Sequence, residues 1–176
     1  MKDIMMKITG EKLIDLLYFC EESSEIQILE KYLEIPRPTL GKEFKKDGYI
    51  AMESKSTNSE VYFSDISKFN LNVNISQNCL ILFSKVFFSK ETTLPIPFDI
   101  KIEDSLDTVI QKIGMPPHYI NKKFPRKTWE LKRTDGKDYL LSTTFSRNDN
   151  SLVSITLGTY DNTIDLLNNE FHIKNY

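Results

Sequence analysis

The sequence is poor in the residue types from which most catalytic and metal sites are built. Its two histidines, His118 and His172, have no partners at ligand spacing, which favours solvated loop positions for both. Its six glycines are dispersed and form neither common phosphate-binding loop, and no Gly-x-Ser-x-Gly elbow is present. We therefore expect a protein without enzymatic activity, bound metal or cofactor.

The chain also lacks a charge excess, a long apolar run and a cysteine framework. Its 23 basic and 25 acidic residues give a net charge of −2, which argues against a dedicated nucleic-acid binder. No segment approaches the length of a membrane span, and residues 1–10 do not resemble a signal peptide. Cys20 and Cys79 match no metal-binding spacing, so we expect two buried, reduced thiols in a cytoplasmic protein.

What is present is an ordinary globular composition, with 40% hydrophobic residues in 176 positions. That length suits one good-sized domain or two small fused units. Ala51 is the only alanine, whereas Lys, Asn, Ile, Ser and Leu are abundant. This bias is typical of AT-rich bacterial coding DNA.

The clearest local pattern is a helix followed by a hairpin between residues 104 and 146. Asp104 is a candidate N-cap, and Gly114 with Pro116 predicts the end of the helix. Helical spacing places four apolar side chains on one face: Leu106, Val109, Ile110 and Ile113. Residues 128–145 then read as two strands turned at Asp135-Gly136, with a further strand over 151–157.

A similar pattern stands 80 residues earlier, which predicts a tandem repeat. The equivalent pairs are Ile26 and Leu106, Leu29 and Val109, Leu33 and Ile113, Pro36 and Pro116, Lys42 and Lys122, Phe44 and Phe124, Tyr49 and Trp129, Ala51 and Leu131, and Val61 and Leu141. The alternative is coincidence between two amphipathic segments. In either case, Leu29, Leu33, Val109 and Ile113 should be buried in the core.

The remaining elements complete an α+β fold, a tandem repeat of a helix followed by antiparallel strands with an extra N-terminal helix. Thr9 caps that first helix, and a capping box from Ser24 to Gln27 opens the second, which ends near Glu34. Strands are expected over 49–54, 59–64, 69–75 and 79–88, and a short helix over 162–167. The units are then 1–90 and 105–176, joined by a connection over 91–104 within one compact domain.

Two acidic groups are candidate interfaces. Val61 and Phe63 should face the core, so Glu60 and Tyr62 should point outward, with Glu53 close by on the paired strand. An exposed tyrosine flanked by carboxylates is a plausible anchor for a cationic partner. Glu21, Glu22 and Glu25 form the second group, and an ordinary solvated surface is the alternative for both.

Residues 122–129 mix basic and aromatic side chains and allow two interpretations. Charge and stacking could together hold a nucleic-acid strand. Alternatively, the segment is a solvated loop in which Phe124 fills the core and Trp129 begins a strand, as Phe44 and Tyr49 would in the first unit.

The helix ending in Ile113-Gly114-Met115-Pro116-Pro117, the basic loop, the strand at Trp129 and the strand over 152–157 resemble small bacterial immunity proteins. These proteins accompany polymorphic toxins, including those of contact-dependent growth inhibition. The repeat also loosely resembles the fold of the β-lactamase inhibitor protein. The resemblance covers residues 104–158 best, and it implies one-to-one binding to a cognate toxin domain, such as a nuclease, in the cytoplasm of the producer. A nucleic-acid-binding module and an enzyme with a dispersed site are the other hypotheses.

Overall fold

The computed structural model describes residues 7–68, 78–121, 123–160 and 172–174. This part of the chain is α+β and mostly antiparallel sheet. Its helices are α1 (Gly10–Leu16), α2 (Ser24–Leu33), α3 (Lys42–Asp47) and α4 (Leu106–Ile113). Its strands are β1 (Tyr49–Ser54), β2 (Ser59–Asp65), β3 (Ile81–Phe88), β4 (Tyr119–Asn121), β5 (Arg126–Lys132), β6 (Asp138–Phe145), β7 (Leu152–Thr159) and β8 (His172–Lys174). The expected strand over 69–75 and the helix over 162–167 lie outside the described residues.

All eight strands join one antiparallel sheet in the order β1-β2-β3-β7-β6-β5-β4-β8. The first half is the meander β1-β2-β3, and the second half is the meander β5-β6-β7. The third strands of the two meanders pair with each other, from Lys85 opposite Gly158 to Phe88 opposite Ile155. The β3–β7 pairing is therefore the junction between the two halves.

One hydrophobic core joins the helices to one face of this sheet. Leu29, Leu33, Val109 and Ile113 are buried in it, as the helical spacing predicted. The same cluster contains residues of both halves of the sheet, such as Phe63 and Leu157. The helices thus cover one face of the sheet. Tyr119 and Leu140 form a separate small cluster, to which Tyr160 adds.

Helix caps follow the expected chemistry but not always the expected residue. Thr9 and Gly114 act as predicted, since the Thr9 hydroxyl accepts from the Lys12 amide and Gly114 adopts a left-handed φ of 86°. The N-cap of α2 is Ser23, however, and that of α4 is Ser105. In each case the serine lies one residue from the prediction and has the extended backbone that a cap requires. Asp104 instead accepts from the amide of Lys101 at 2.8 Å and from the ammonium of Lys112 at 2.7 Å.

Gly10 determines how closely the long connection can approach the first helix. The connection contains a short 3-10 turn, Pro97–Asp99, that lies against the start of α1. A Cβ atom at Gly10 would stand only 2.4 Å from the backbone nitrogen of Pro97. Glycine is therefore required here because of close backbone approach, a reason that no local sequence pattern reveals.

Each half contains a helix and an antiparallel hairpin, but the predicted 80-residue tandem repeat is not confirmed. Between helix and hairpin the first half has α3, whereas the second half has β4. Tyr49 is 46% exposed and pairs with Ser64, whereas Trp129 is fully buried and pairs with Leu141. Phe44 is buried, but Phe124 is 59% exposed, so the expectation that Phe124 fills the core is wrong.

The expectation of two reduced thiols is also wrong, because Cys20 and Cys79 form a disulfide across 59 residues. Cys20 makes an isolated antiparallel bridge to Leu82, which brings the α1–α2 junction beside the start of β3. The Cα atoms of the two cysteines are then 5.6 Å apart, within the range a disulfide spans. Only the tertiary pairing makes this proximity evident.

Candidate binding face of the sheet

The face of the β1–β2–β3 meander opposite the helices carries the first group of predicted residues. Val61 and Phe63 are fully buried beneath the helices, as strand alternation predicted. Glu60 and Tyr62 alternate with them and are only partly buried on the other face. Glu53 is exposed and lies directly opposite Glu60 in the β1–β2 pairing. The structure thus brings Glu53, Glu60 and Tyr62 together.

A third carboxylate joins this pair to form what we name the acidic notch. The notch is a cavity of about 400 Å³ lined by Glu53, Asn58, Ser59, Glu60, Phe87, Ser89 and Glu91. None of these described lining residues is Lys or Arg. Glu91 is held there because its carbonyl accepts from the Asn58 side chain at 3.3 Å, and Ser89 donates to the Asn58 carbonyl at 2.9 Å. Sequence reasoning missed Glu91, which stands in a connection without periodicity.

Tyr62 lies beside the notch in an aromatic and cationic setting. Its ring centroid is 5.8 Å from that of Tyr49, and the Lys85 ammonium lies 5.1 Å from the ring centroid. Burial, followed by the nearby charge of Glu60, raises the pKa of Tyr62 to about 12. The phenol therefore stays protonated near neutral pH, and its hydrogen bond to Glu60 holds the ring beside the notch.

A second cavity opens farther along the same face, towards the centre of the sheet. We name it the cationic cavity, and its volume is about 260 Å³. Its lining residues are Tyr62, Lys85, Phe87, Arg126, Leu140, Ser142, Thr156 and Gly158. Phe87 lines both cavities and so stands between them. No sequence pattern marks Lys85 as a site residue, because it falls in a mainly apolar strand.

In the second predicted acidic group, Glu21 has a structural role, whereas Glu22 and Glu25 are more exposed. Glu21 is buried, and its carboxylate accepts from the Ile81 amide at 3.2 Å, so it serves the fold at the junction with β3. Glu22 is exposed. Glu25 lies in the first turn of α2 and accepts from Ser24 at 2.9 Å. The hydrogen bonds to its own backbone amide and to Ser24 lower the pKa of Glu25.

The basic aromatic loop presents one aromatic side chain rather than two. The side chain of Asn121 accepts from the amides of Lys123 and Phe124, at 2.8 and 2.9 Å, and turns the loop. Phe124 is exposed, whereas Trp129 is buried and donates its indole N–H to the Met115 carbonyl at 2.9 Å. Trp129 is therefore a core residue and cannot stack on a base.

The described residues show no arrangement typical of a metal centre. Within them, no three His, Cys, Asp or Glu side chains are placed to share an ion. The ring of His118 is used structurally, since its Nδ1 accepts from the Glu130 amide at 3.1 Å. No helix in the described ranges has the length and apolar character to cross a membrane.

Comparison with known proteins yields no match. No protein-family model, no curated protein and no solved structure corresponds to this chain. The function must therefore be argued from the geometry of the sheet face itself.

Proposed function

We propose that this protein is a bacterial immunity protein that binds a cognate toxin domain one-to-one and occludes its active site. The acidic notch and the adjacent Tyr62 are the observation that supports this proposal. They lie on the sheet face that the helices leave uncovered, next to a polar and aromatic surface. In this proposal the protein acts by binding alone, without catalysis or a cofactor.

The Glu53–Glu60 pair is the strongest argument for a cationic partner. Like charges directly opposite each other on paired strands are destabilising, by roughly 0.2–1 kcal/mol. A face selected for stability alone would gain from replacing one of them. A cationic cleft, such as that of a nuclease toxin, would compensate both carboxylates on binding, and the Tyr62 ring would supply contact area.

We also infer that the scaffold arose by duplication of a helix-plus-meander unit. Two such units would meet at the β3–β7 pair and present one broad sheet face. The recurring helix and hairpin support this inference, and the different segments that precede the two hairpins mark divergence after it. A broad, continuous face suits a protein that works by covering a partner.

The experiment begins from gene context, since an immunity gene should follow the gene of its toxin. The C-terminal domain encoded immediately upstream should be purified, mixed with this protein and analysed by light scattering and calorimetry. We expect a one-to-one complex and complete inhibition of the toxin activity. The proposal fails if the two proteins do not associate at micromolar concentration or if the toxin stays active within the complex.

Nucleic-acid binding is the alternative function, and the exposure of Phe124 favours it. Lys123 and Arg126 are exposed on either side of this ring. A strand of RNA or DNA held there would bind with a strong dependence on salt. A mobility shift at micromolar protein that disappears in high salt and in Phe124→Ala would support this alternative.

A further inference from the structure

The cationic cavity contains two cations and no carboxylate among its described lining residues. Lys85 stands on central strand β3 and is half-buried, and Arg126 begins β5 and is exposed. Neither side chain makes an ion pair within the described residues. Cations in a recess are normally compensated, so their convergence on one cavity requires an explanation.

A glycine beside Lys85 creates part of the space. Gly158 lies opposite Lys85 in the β3–β7 pairing, and Leu140 lies opposite Gly158 on β6. A Cβ atom at Gly158 would stand 3.6 Å from Cγ of Lys85, so the lysine stem crosses directly over the glycine. The hydroxyls of Ser142 and Thr156 line the same recess. The recess therefore offers two positive charges together with hydroxyl donors.

The Tyr62 ring, 5.1 Å from the Lys85 ammonium, compensates this charge in part, and the described lining residues include no carboxylate that would complete the compensation. Burial and then the charge of Arg126 lower the pKa of Lys85, and Glu60 acts in the opposite direction. Glu60 lines the acidic notch and not the cationic cavity, and the ion pairs of the described residues do not include one between Glu60 and Lys85. An anion between Lys85 and Arg126 would remove their mutual repulsion and replace lost hydration.

We propose that the cationic cavity is a binding site for one small oxyanion, a carboxylate or a phosphate, held between Lys85 and Arg126. The guanidinium would bind two oxygens in a fork, while the ammonium and the hydroxyls of Ser142 and Thr156 would hold the others. This site is independent of the proposed toxin binding. It supplies the sheet face with an anion-binding pocket next to its cation-binding notch.

The test is a titration of the isotope-labelled full chain, followed by the backbone amide resonances of Lys85, Thr156 and Gly158. Inorganic phosphate and acetate are added separately at pH 7, with ionic strength held constant by sodium chloride. We expect saturable shifts at these amides with at least one of the two probes. If phosphate binds more tightly than acetate, the ligand is a free phosphate. If acetate binds more tightly, the ligand is a carboxylate side chain.

Three variants test whether the shifts come from anion binding in the cationic cavity. Arg126→Gln and Lys85→Gln should each weaken binding at least tenfold, and Arg126 is exposed, so its variant should fold even if the Lys85 variant does not. Lys132→Gln is the matched control, because Lys132 is an exposed cation on the same strand outside the cavity. Shifts that sodium chloride alone reproduces, or an affinity unchanged in Arg126→Gln, would overturn the proposal.

Discussion

Glu53 and Glu60 lie directly opposite each other on the sheet face that the described helices leave uncovered, with no basic residue among the described side chains of their cavity. Like charges that face each other across paired strands repel, and β1 lies at the edge of the sheet that the described strands form. A stability cost that coincides with a concave surface is typical of a binding site. The pair therefore links the stability of the protein to its proposed function.

Neutralising one member of the pair should stabilise the free protein. We expect Glu53→Gln to raise the free energy of unfolding by roughly 0.2–1 kcal/mol at low salt, because one like-charge contact is removed. The gain should shrink at 1 M salt, where such charges are screened. Urea unfolding at both salt concentrations measures it. A loss of stability in Glu53→Gln would contradict the repulsion.

The core assignment predicts the effect of truncating α4. Ile113 is 9% exposed and belongs to the main core cluster. We expect Ile113→Ala to lower the free energy of unfolding by about 2–4 kcal/mol, through lost burial and the cavity left behind. The neighbouring Gln111 is exposed on the same helix, so Gln111→Ala is the control and should change stability little. Equal stabilities of the two variants would show that the helical face is misassigned.

The disulfide should make a large contribution to stability. A bond that closes 59 residues restricts the unfolded chain, which corresponds to about 4 kcal/mol in the chain-entropy relation. Urea unfolding with and without dithiothreitol should differ by an amount of that order. The Cys20→Ala/Cys79→Ala variant is the control, and the reductant should leave its midpoint unchanged. Two free thiols in the oxidised, folded protein would refute the pairing.

Glu30 should make the stability of the protein depend on pH. It is buried, its Oε1 has no hydrogen-bond partner within the described residues, and Arg37 lies 3.6 Å from the other oxygen. Burial raises the pKa of Glu30 above its ordinary value of 4.5, and burial raises that of Glu21 in the same way. Ionising such a carboxyl costs more in the folded chain than in the unfolded chain. Its contribution to stability is therefore greatest below pH 4.5 and falls as the pH rises through the folded pKa.

Glu30→Gln should make the stability of the protein decrease less steeply as the pH rises. Adding Glu21→Gln should reduce this pH dependence further. The measurement is the urea midpoint at half-unit steps from pH 4 to pH 8. Glu34→Gln at the exposed end of the same helix is the control and should keep the wild-type profile. A Glu30→Gln profile as steep as that of the wild type would mean that the carboxyl does not titrate as described.

Local sequence patterns were sufficient for the longer elements of this fold. Apolar spacing located α2 and α4, and alternation oriented Val61 and Phe63 inward. The predicted N-caps of α2 and α4 were wrong by one residue because neighbouring side chains, Ser23 with Ser24 and Asp104 with Ser105, have the same capping chemistry. The short elements α3 and β4 were missed, since neither is long enough to show a period.

What the sequence could not predict depends on contacts between distant segments. The pairing of β3 with β7 places Lys85 beside Gly158, and with Arg126 it creates the cationic cavity. The Cys20–Cys79 bond likewise depends on a contact between segments that are distant in the sequence. Of the predicted binding residues, Glu53, Glu60 and Tyr62 came together because their register follows from one local hairpin. Glu21 proved to be buried because the start of β3 passes over it.

The most direct test of the central claim is the affinity of the cognate toxin domain for a triple variant, Glu53→Lys/Glu60→Lys/Tyr62→Ala. A reversal at Glu22 and Glu25, exposed or half-exposed residues of the other acidic group, provides the comparison, and circular dichroism checks that both variants fold. We expect the triple variant to bind at least tenfold more weakly, about 1.4 kcal/mol, and to lose protection of cells. Full affinity and full protection in both variants would contradict an acidic interface on this protein.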